Sequence, residues 1–522
     1  MKTLFLPTIA AFGCAHSDPV AESHERSPAP PPNILLIYTD DVGYGDVGCY
    51  EGSRTPTPNI DRLAAEGIRF TDAHCSAATC TPSRFALLTG QYAFRQKGTG
   101  IASGDAGLII ETDTVTLAGL LGQAGYTTGV VGKWHLGLGE GKNDWNAEVS
   151  PNPSDLGFDY HFLMPATGDR VPCVYFEEGR VVGLDPEDPI EVSYRGRIGS
   201  EPSGKEARDT LKQDWSHGHN STIVNGVSRI GWMTGGHAAR WVDEDMADVF
   251  TDKAVAFLER ASAPAESSKP WFLFYSTHDI HVPRLPHPRF QGASGQGPRG
   301  DAMVQTDACV GRLLNFLDEH GLAEDTLVIF GSDNGPVLDD GYHDDANEKL
   351  GDHDPNGPWR AGKYSLFEGG TRTPFLVRWP ARVERGRVSG ALFGQVDLAR
   401  SLAALAGADV PTGACPDSRD ELDTLLGQDQ VGRPHLVHEA KALSLRRGRW
   451  KYVPSGKTRD QLGPWESVQI PASGALYDID QDPSERVNLA ATHPQELSEL
   501  VELLERIRRE PDRREADEEQ SR

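Results

Sequence analysis

The stretch PNILLIYTDDVGYG, residues 32–45, decides the fold. Its apolar run from Ile34 to Tyr38 has the length and continuity of a strand that is buried on both faces of a parallel sheet. The run ends in two adjacent carboxylates, Asp40 and Asp41, and a glycine-rich turn follows them. This pattern predicts an α/β fold in which helices sandwich a large, mixed, mostly parallel sheet.

Three further segments repeat the pattern of a buried strand that ends in polar residues. They are TTGVVGKWHLG (127–137), which ends at Lys133 and His135, KPWFLFYSTHDIHVP (269–283), which ends at His278 and His281, and DTLVIFGSDNGP (325–336), which ends at Asp333 and Asn334. Any one of these ends is more often a turn or a helix cap than a site. Because ligands bind at the carboxyl ends of strands in open α/β sheets, their shared placement predicts that the four ends form one site.

The stretch CSAATCTPSRFALLTG, residues 75–90, holds a candidate nucleophile. Thr81 and Pro82 have the residue types of a helix cap and of a first helical position, which places Cys80 at a helix amino terminus. The helix dipole and Arg84, about one turn on, favour an anion there and predict a lowered pKa for a thiol. Such a thiol suits a cysteine hydrolase. The neighbouring carboxylates suit a hard divalent cation that binds an anionic oxygen ligand instead, and both interpretations stay open at this point.

The run Cys80-Thr-Pro-Ser-Arg84, followed by Leu88-Thr-Gly90, resembles the signature of the type I sulfatases of the alkaline phosphatase superfamily. In that family the cysteine is oxidised after translation to formylglycine. The resemblance also covers the paired aspartates, GKWHLG, the H-x-P segment, SDNGP and GKYSLFEGGTRTPFLVRWP (362–380), in the family's order over about residues 33–500. It implies an alkaline-phosphatase-like fold and a sulfuric ester hydrolase of the arylsulfatase type.

The resemblance also implies a role for each matching residue. The metal ligands, for one calcium ion per chain, would be Asp40, Asp41, Asp333, Asn334 and the formylglycine hydrate formed from Cys80. Arg84 would hold the hydrate, Lys133 and Lys363 the sulfate oxygens, and His135 would assist the hydrate hydroxyls, while His281 would protonate the leaving alcohol. His278 is the alternative in that segment, and His281 is favoured because it lies two residues before Pro283. Turnover would need both hydroxyls of the hydrate, one to attack sulfur and one to expel sulfate.

Two other functions stay open beside this one. A phosphatase or phosphonate monoester hydrolase of the same superfamily would bind a dianion and commonly uses two metals, whereas this sequence offers one set of four ligands and two lysines. A non-catalytic carbohydrate-binding relative would lack the nucleophile or a metal ligand, and none is missing from the sequence.

The segment 150–240 resembles an insert that faces the substrate in bacterial sulfatases of sulfated polysaccharides, including relatives of N-acetylgalactosamine-6-sulfatases. The substrate implied is a sulfated carbohydrate, with 6-sulfated galactose or N-acetylgalactosamine as its candidate. Trp215, His217 and His219 suit stacking on a sugar and hydrogen bonding to it. Arg170 suits either a neighbouring uronate or sulfate, or a structural salt bridge. The alternative for the whole segment is a decorated loop region.

Composition limits the partners and the domain organisation. A formal charge of −26 argues against a nucleic-acid partner, so an anionic ligand needs cations concentrated in one pocket. The length of 522 residues allows one large core and a smaller one. We expect a catalytic domain over 33–384 and a C-terminal α+β subdomain over 385–510, built from a small antiparallel sheet and a helix. A solvated tail over 511–522 follows.

The amino terminus predicts export. Residues 1–15 have one lysine and a short apolar stretch, as in a signal peptide, and Cys14 resembles a lipoprotein attachment site, which would add a lipid anchor. Residues 16–32 are a linker rich in proline and charge. The protein would then be periplasmic, a cell-surface lipoprotein or secreted, and a formylglycine-generating or sulfatase-maturating enzyme would be a partner. The cysteine spacing indicates neither a disulfide framework nor a CxxC zinc site, and no later segment is long and apolar enough for a spanning helix.

Overall fold

A ten-stranded mixed sheet forms the centre of the computed structural model, which describes Met1 and residues 31–263, 269–460, 462 and 466–510. In chain order the strands of the described residues are β1 (Asn33–Thr39), β2 (Ile68–Phe70), β3 (Ala73–His74), β4 (Thr127–Lys133), β5 (Tyr160–Met164), β6 (Phe176–Glu177), β7 (Arg180–Val181), β8 (Glu191–Ser193), β9 (Asp214–Trp215), β10 (Ile223–Val224), β11 (Val227–Ser228), β12 (Trp232–Thr234), β13 (Trp271–Ser276), β14 (Thr326–Ser332), β15 (Tyr342–His343), β16 (Phe375–Arg378), β17 (Arg387–Ser389), β18 (Phe393–Gly394), β19 (Leu436–Glu439), β20 (Leu443–Arg447), β21 (Trp450–Val453), β22 (Gly456–Arg459), β23 (Ser467–Ile470) and β24 (Ala475–Asp478). The α-helices are α1 (Pro58–Glu66), α2 (Cys80–Thr89), α3 (Leu117–Gln123), α4 (Met246–Ala261), α5 (Gly297–Glu319), α6 (Glu368–Thr371), α7 (Leu398–Ala406), α8 (Leu422–Leu425) and α9 (Pro494–Arg509).

The four strands that the sequence predicted lie side by side and parallel. The order of the large sheet is β17-β2-β16-β14-β1-β13-β4-β5-β6-β7, with antiparallel strands toward both ends. Ile37 of β1 lies opposite Phe330 of β14 and Tyr275 of β13, and this register brings the carboxyl ends of the neighbouring strands to one edge. The predicted sheet is therefore confirmed, and its strand ends meet as expected.

Burial explains why these segments form the centre of the sheet. Every residue of β13 and β14 is buried, as the continuous apolar runs predicted. Burying each large apolar side chain contributes about 1.5–3 kcal/mol. The helices fall into two groups whose members contact each other, one with α1, α4 and α5 and the other with α2, α3 and α7. In α1 the buried residues Ile60, Leu63 and Ala64 follow the spacing of one helix face.

A smaller antiparallel sheet with the order β19-β20-β21-β24 lies near the C-terminus, as expected. Its buried residues, including Leu445, pack with Leu500 and Leu504 of α9. β17 pairs with β2 of the large sheet, so the smaller sheet begins only at β19. The division of the chain near residue 385 stays a prediction.

The predictions for the chain ends lie outside the described residues. The chain divides into two units, Met1–Pro31 and Pro32–Arg522, and all the elements above belong to the second. The signal segment with Cys14, nearly all of the linker and the tail therefore stay predictions. The six described cysteines are free thiols. No helix among the described residues is long and apolar enough to cross a membrane.

Candidate active site

Two carboxylates lie at the end of β1, fully buried at the edge where the parallel strands meet. Asp41 has φ of 60°, a left-handed conformation that is uncommon for a residue other than glycine and that turns the chain sharply after the strand. Its backbone N–H donates to Asp333 Oδ1 at the end of β14, over 3.3 Å. The turn thus brings the ends of β1 and β14 together.

Asn334, which follows β14, lies beside the two carboxylates. Its Nδ2 donates to Asp41 Oδ1 over 2.7 Å. Among the described residues, the buried oxygens Asp40 Oδ1 and Asn334 Oδ1 accept no hydrogen bond. Because a buried oxygen without a partner is costly, these two atoms fit a site that holds a cation. Ligand atoms of Asp40, Asp41, Cys80 and His281 also lie within 4.8 Å of one another.

Cys80 is the first residue of α2, all ten residues of which are buried. The N-cap is Thr79, so the helix begins before Thr81, the cap that the sequence predicted. The Thr81 hydroxyl donates instead to the carbonyl oxygen of His135, over 3.0 Å. This bond fixes the start of the helix against the segment that follows β4.

The predicted lowering of the Cys80 pKa is wrong. Burial raises the pKa of this thiol to about 12, although Lys133 and Lys363 act in the opposite direction. Arg84 does not counter this effect because its guanidinium is engaged with Asp333, through Nε at 2.9 Å and Nη2 at 2.7 Å. It also donates to Ser276 Oγ over 2.5 Å. An unmodified thiol at position 80 is therefore protonated at neutral pH, which argues against a cysteine hydrolase.

Two buried lysines neutralise the two aspartates of β1. Lys133 Nζ lies 2.5 Å from Asp40 Oδ2, and Lys363 Nζ lies 2.8 Å from Asp41 Oδ1 and 3.0 Å from Asp340. Burial raises the pKa of Asp40 well above its ordinary value. Burial acts in the same direction on Asp41, but Lys363 and Lys133 outweigh it, so the pKa of Asp41 is lowered. A cation beside Asp40 would favour its charged form.

Of the three histidines that the sequence analysis considered for catalysis, two line the site and one does not. His135 Nε2 lies 3.0 Å from the carbonyl oxygen of Ala102, and His281 Nδ1 lies 2.7 Å from that of Val282. Burial, with nearby lysines, lowers the pKa of both rings well below the usual range. Both rings line the cavity beside Cys80, whereas His278 does not, so the geometry agrees with the preference for His281.

This cavity has a volume of about 90 Å³. Its walls combine cations, carboxylates, histidines, a cysteine and a tyrosine with two apolar residues: Cys80, Ile101, His135, Asp169, Arg170, His219, Ile230, His281, Asp340, Lys363 and Tyr364. Such a lining can bind an anionic ester and hydrogen-bond the alcohol attached to it.

The insert contributes to the cavity in a way that the sequence predicted only in part. His219 and Arg170 line the cavity, and both contact Asp169. One carboxylate oxygen of Asp169 lies 2.9 Å from His219 Nε2, and the other lies 2.9 Å from Arg170 Nη1. Arg170 is thus both a wall residue and a salt-bridge partner. Trp215 and His217 do not line the cavity, and Arg208 covers the Trp215 ring at 4.4 Å.

Five wall residues were missed by the sequence analysis: the apolar Ile101 and Ile230, and the polar Asp169, Asp340 and Tyr364. Asp169 directly precedes Arg170, and Tyr364 directly follows Lys363, so each is adjacent to a residue that was singled out. Asp340 has no such signal, because one acidic residue in the run VLDDGYHDD looks like any other. Its role is visible only from its contact with Lys363.

Comparison with known proteins agrees with this geometry. Residues 32–408 match the family model described as Sulfatase. The chain is 50% identical over 483 residues to N-acetylgalactosamine-6-O-sulfatase of Bacteroides thetaiotaomicron. The alignment covers 91% of this chain and 93% of that protein. It is 32% identical to arylsulfatase A of Homo sapiens, over 91% of this chain and 87% of the relative. A solved structure from work on the metabolism of multiple glycosaminoglycans by B. thetaiotaomicron has a TM-score of 0.87 and 49% identity, and covers 92% of this chain and 100% of that one. The chain belongs to the sulfatase family.

Proposed function

We propose that this protein hydrolyses the sulfate ester of a sulfated carbohydrate, with a formylglycine formed from Cys80 and one bound calcium ion. The observation that carries the proposal is the convergence of Asp40, Asp41, Cys80 and His281, whose ligand atoms lie within 4.8 Å of one another. Cys80 and His281 also line the cavity. Three separate segments of the chain supply these four buried residues: the end of β1, the start of α2 and the segment after β13. No structural requirement of the core explains so many charged groups in one place.

The residues that would hold the calcium ion are Asp40, Asp41, Asp333 and Asn334. Their donors are all oxygens, which suits a hard cation such as calcium better than a transition metal. When bound, the ion would supply positive charge to the sulfate oxygens and to a hydroxyl at position 80. The two buried oxygens without partners, on Asp40 and Asn334, support this assignment.

Position 80 fits a hydrated aldehyde better than a thiol. Two hydroxyl groups can donate to the neighbouring carboxylates and bind a hard cation, whereas sulfur is a soft ligand. A geminal diol would also supply one hydroxyl as nucleophile and a second whose deprotonation releases sulfate. Arg84, which links Asp333 to the end of β13, would fix the start of α2 beside the ion.

The remaining groups would bind the sulfate and move protons. Lys133 and Lys363 would contact the sulfate oxygens, and His135 would assist the hydroxyls at position 80. His281 would protonate the leaving alcohol through Nε2, because Nδ1 lies against the carbonyl of Val282. Its pKa is low because of burial and two lysines, so a bound sulfate anion, which opposes the charge of those lysines, would raise it toward the range of a general acid.

The substrate we propose is a carbohydrate 6-sulfate of galactose or N-acetylgalactosamine. The support is the 50% identity to an enzyme named for N-acetylgalactosamine 6-O-sulfate, over 91% of this chain. Within the cavity, Asp169, Arg170 and His219 form one hydrogen-bonded group that can contact sugar hydroxyls. Asp169 can accept from a hydroxyl, while Arg170 can donate to one.

The test combines the chemistry of position 80 with turnover. The protein is co-expressed with a formylglycine-generating enzyme, and mass spectrometry is applied to the tryptic peptide that spans residues 70–84. We expect an aldehyde at position 80 and release of sulfate from N-acetylgalactosamine 6-sulfate. Cys80→Ser should lose multiple turnover, because serine has no second hydroxyl. An intact thiol in fully active protein would refute the mechanism, and a preference for phosphate monoesters would favour the phosphatase alternative.

A further inference from the structure

A second cavity, of about 210 Å³, lies beside the catalytic one. Tyr364 lines both, so its side chain is part of the wall between them. We call this space the accessory cavity and define it by Tyr364, Leu366, Lys441, Lys457, Thr458, Arg459, Glu466 and Ser467. Apart from Tyr364 and Leu366, its lining comes from the β19–β20 connection, from β22, and from Glu466 and Ser467 at the start of β23.

The accessory cavity is rich in cations. Lys441, Lys457 and Arg459 face one carboxylate, that of Glu466. The whole chain has 51 basic and 77 acidic residues, so this cavity reverses the charge balance of the protein. Lys441 and Lys457 are exposed, and within the described part of the chain neither ammonium forms an ion pair. Exposed lysines that line one cavity and form no ion pair attract an anion.

Hydrogen bonds connect the accessory cavity firmly to the catalytic one. The Ser365 hydroxyl donates to the carbonyl oxygen of Arg459 over 2.6 Å, and the Leu366 N–H donates to Thr458 Oγ1 over 2.9 Å. On the other side of the same segment, the Tyr364 hydroxyl donates to Asp340, which also contacts Lys363. The segment that carries Lys363 is therefore bonded directly to β22, and the two cavities hold a defined separation.

We propose that the accessory cavity binds a carboxylate or sulfate group on the sugar next to the one that loses its sulfate. This inference rests on the proposed function, because it takes the catalytic cavity as the place of the reacting sugar. Lys441 and Lys457 are the specificity residues, and they discriminate by charge. A larger cavity of about 520 Å³, which also contains Lys441, continues in the direction of α9 and leaves room for a longer chain.

The experiment measures binding separately from turnover. In a Cys80→Ala background, calorimetry gives the Kd of four ligands: N-acetylgalactosamine 6-sulfate alone, and the same sugar linked to glucuronic acid, to a sulfated hexose or to glucose. Lys441→Gln and Lys457→Gln are compared singly and together, with Lys97→Gln as the matched control. Lys97 is an exposed lysine that lines none of the three cavities.

We expect the double variant to weaken binding of at least one acidic disaccharide about tenfold and to leave the monosaccharide and the glucose-linked disaccharide unchanged. A loss of affinity for the glucuronic acid disaccharide would show that the cavity binds a carboxylate, and a loss for the sulfated one that it binds a sulfate. Equal affinities of the Cys80→Ala protein with and without the two lysine substitutions, for both acidic disaccharides, would overturn the inference. An equal loss for the glucose-linked disaccharide would also overturn it. Failure of the active enzyme to desulfate the monosaccharide would instead count against the proposed function, since Kd does not depend on turnover.

Discussion

Replacing Lys363 by methionine should cost about 3–5 kcal/mol of folding stability in the presence of a chelator, because it leaves buried carboxylates without a cation. The Lys363 side chain is 1% exposed, and its ammonium lies 2.8 Å from Asp41 and 3.0 Å from Asp340. Methionine keeps most of the apolar stem and removes only the charge. Excess calcium should reduce the loss, since a cation beside Asp41 would replace part of what the ammonium supplied.

Thermal unfolding measures this effect. An unfolding entropy of roughly 2.1 cal/mol/K per residue gives about 1 kcal/mol/K for a chain of this length, so Tm should fall by about 3–5 °C. Lys363→Met combined with Asp340→Asn should recover part of the loss, because one of the two unpaired charges is gone. Lys349→Met, which breaks only an exposed pair with Asp345, should change Tm by less than about 1 °C. A Lys363→Met variant that melts with the wild type in chelator would refute the reasoning.

Substitutions of Gly132, Glu439 and Asp333 test three other parts of the structure. Gly132→Ala should lower the yield of folded protein far more than Gly98→Ala. Both glycines have positive φ, but only at Gly132 would a Cβ clash with a backbone oxygen, that of Ser276. Similar melting curves for the two variants would contradict this. Burial raises the pKa of Glu439 to about 7. The contribution of this group to folding stability is therefore complete below about pH 4.3 and is lost as pH rises through 7. Glu439→Gln should raise Tm at pH 8 and not at pH 4, and equal Tm values of variant and wild type at pH 8 would count against this. Asp333→Ala should abolish calcium binding in calorimetry together with sulfate release, and full activity of the wild type in chelator would exclude the role of the ion.

The sequence predicted the centre of the fold because the relevant signals are local. The run from Ile34 to Tyr38 is apolar at every position, is short, and is followed by a carboxylate and glycine turn, which is typical of a strand covered on both faces. The polar ends of the four strands could then be placed together by topology alone. The wall contributed by Asp340 could not be predicted in this way, because its contact with Lys363 depends on the path of a long loop.

The error over Cys80 has a physical cause that sequence does not reveal. A helix amino terminus and a nearby arginine do lower the pKa of a thiol when they are free to act on it. Here burial dominates, and the arginine is committed to Asp333. The sequence shows which charges are near one another, but only the tertiary structure shows which of them are already paired.

The charge balance of the site bears on the choice between a sulfate and a phosphate ester. The four carboxylates Asp40, Asp41, Asp333 and Asp340 contact three cations, Arg84, Lys133 and Lys363, which leaves one negative charge in excess. Burial raises the pKa of Asp40, and the negative charges of Asp333 and Asp41 act in the same direction. The pair Asp169 and Arg170 adds no net charge, and the lowered pKa values of His135 and His281 keep both rings neutral. One divalent cation would change the net charge of the site from one negative to one positive charge. A sulfate monoester, with one negative charge, neutralises that site, whereas a phosphate monoester dianion would leave a negative charge buried without a partner, which is costly.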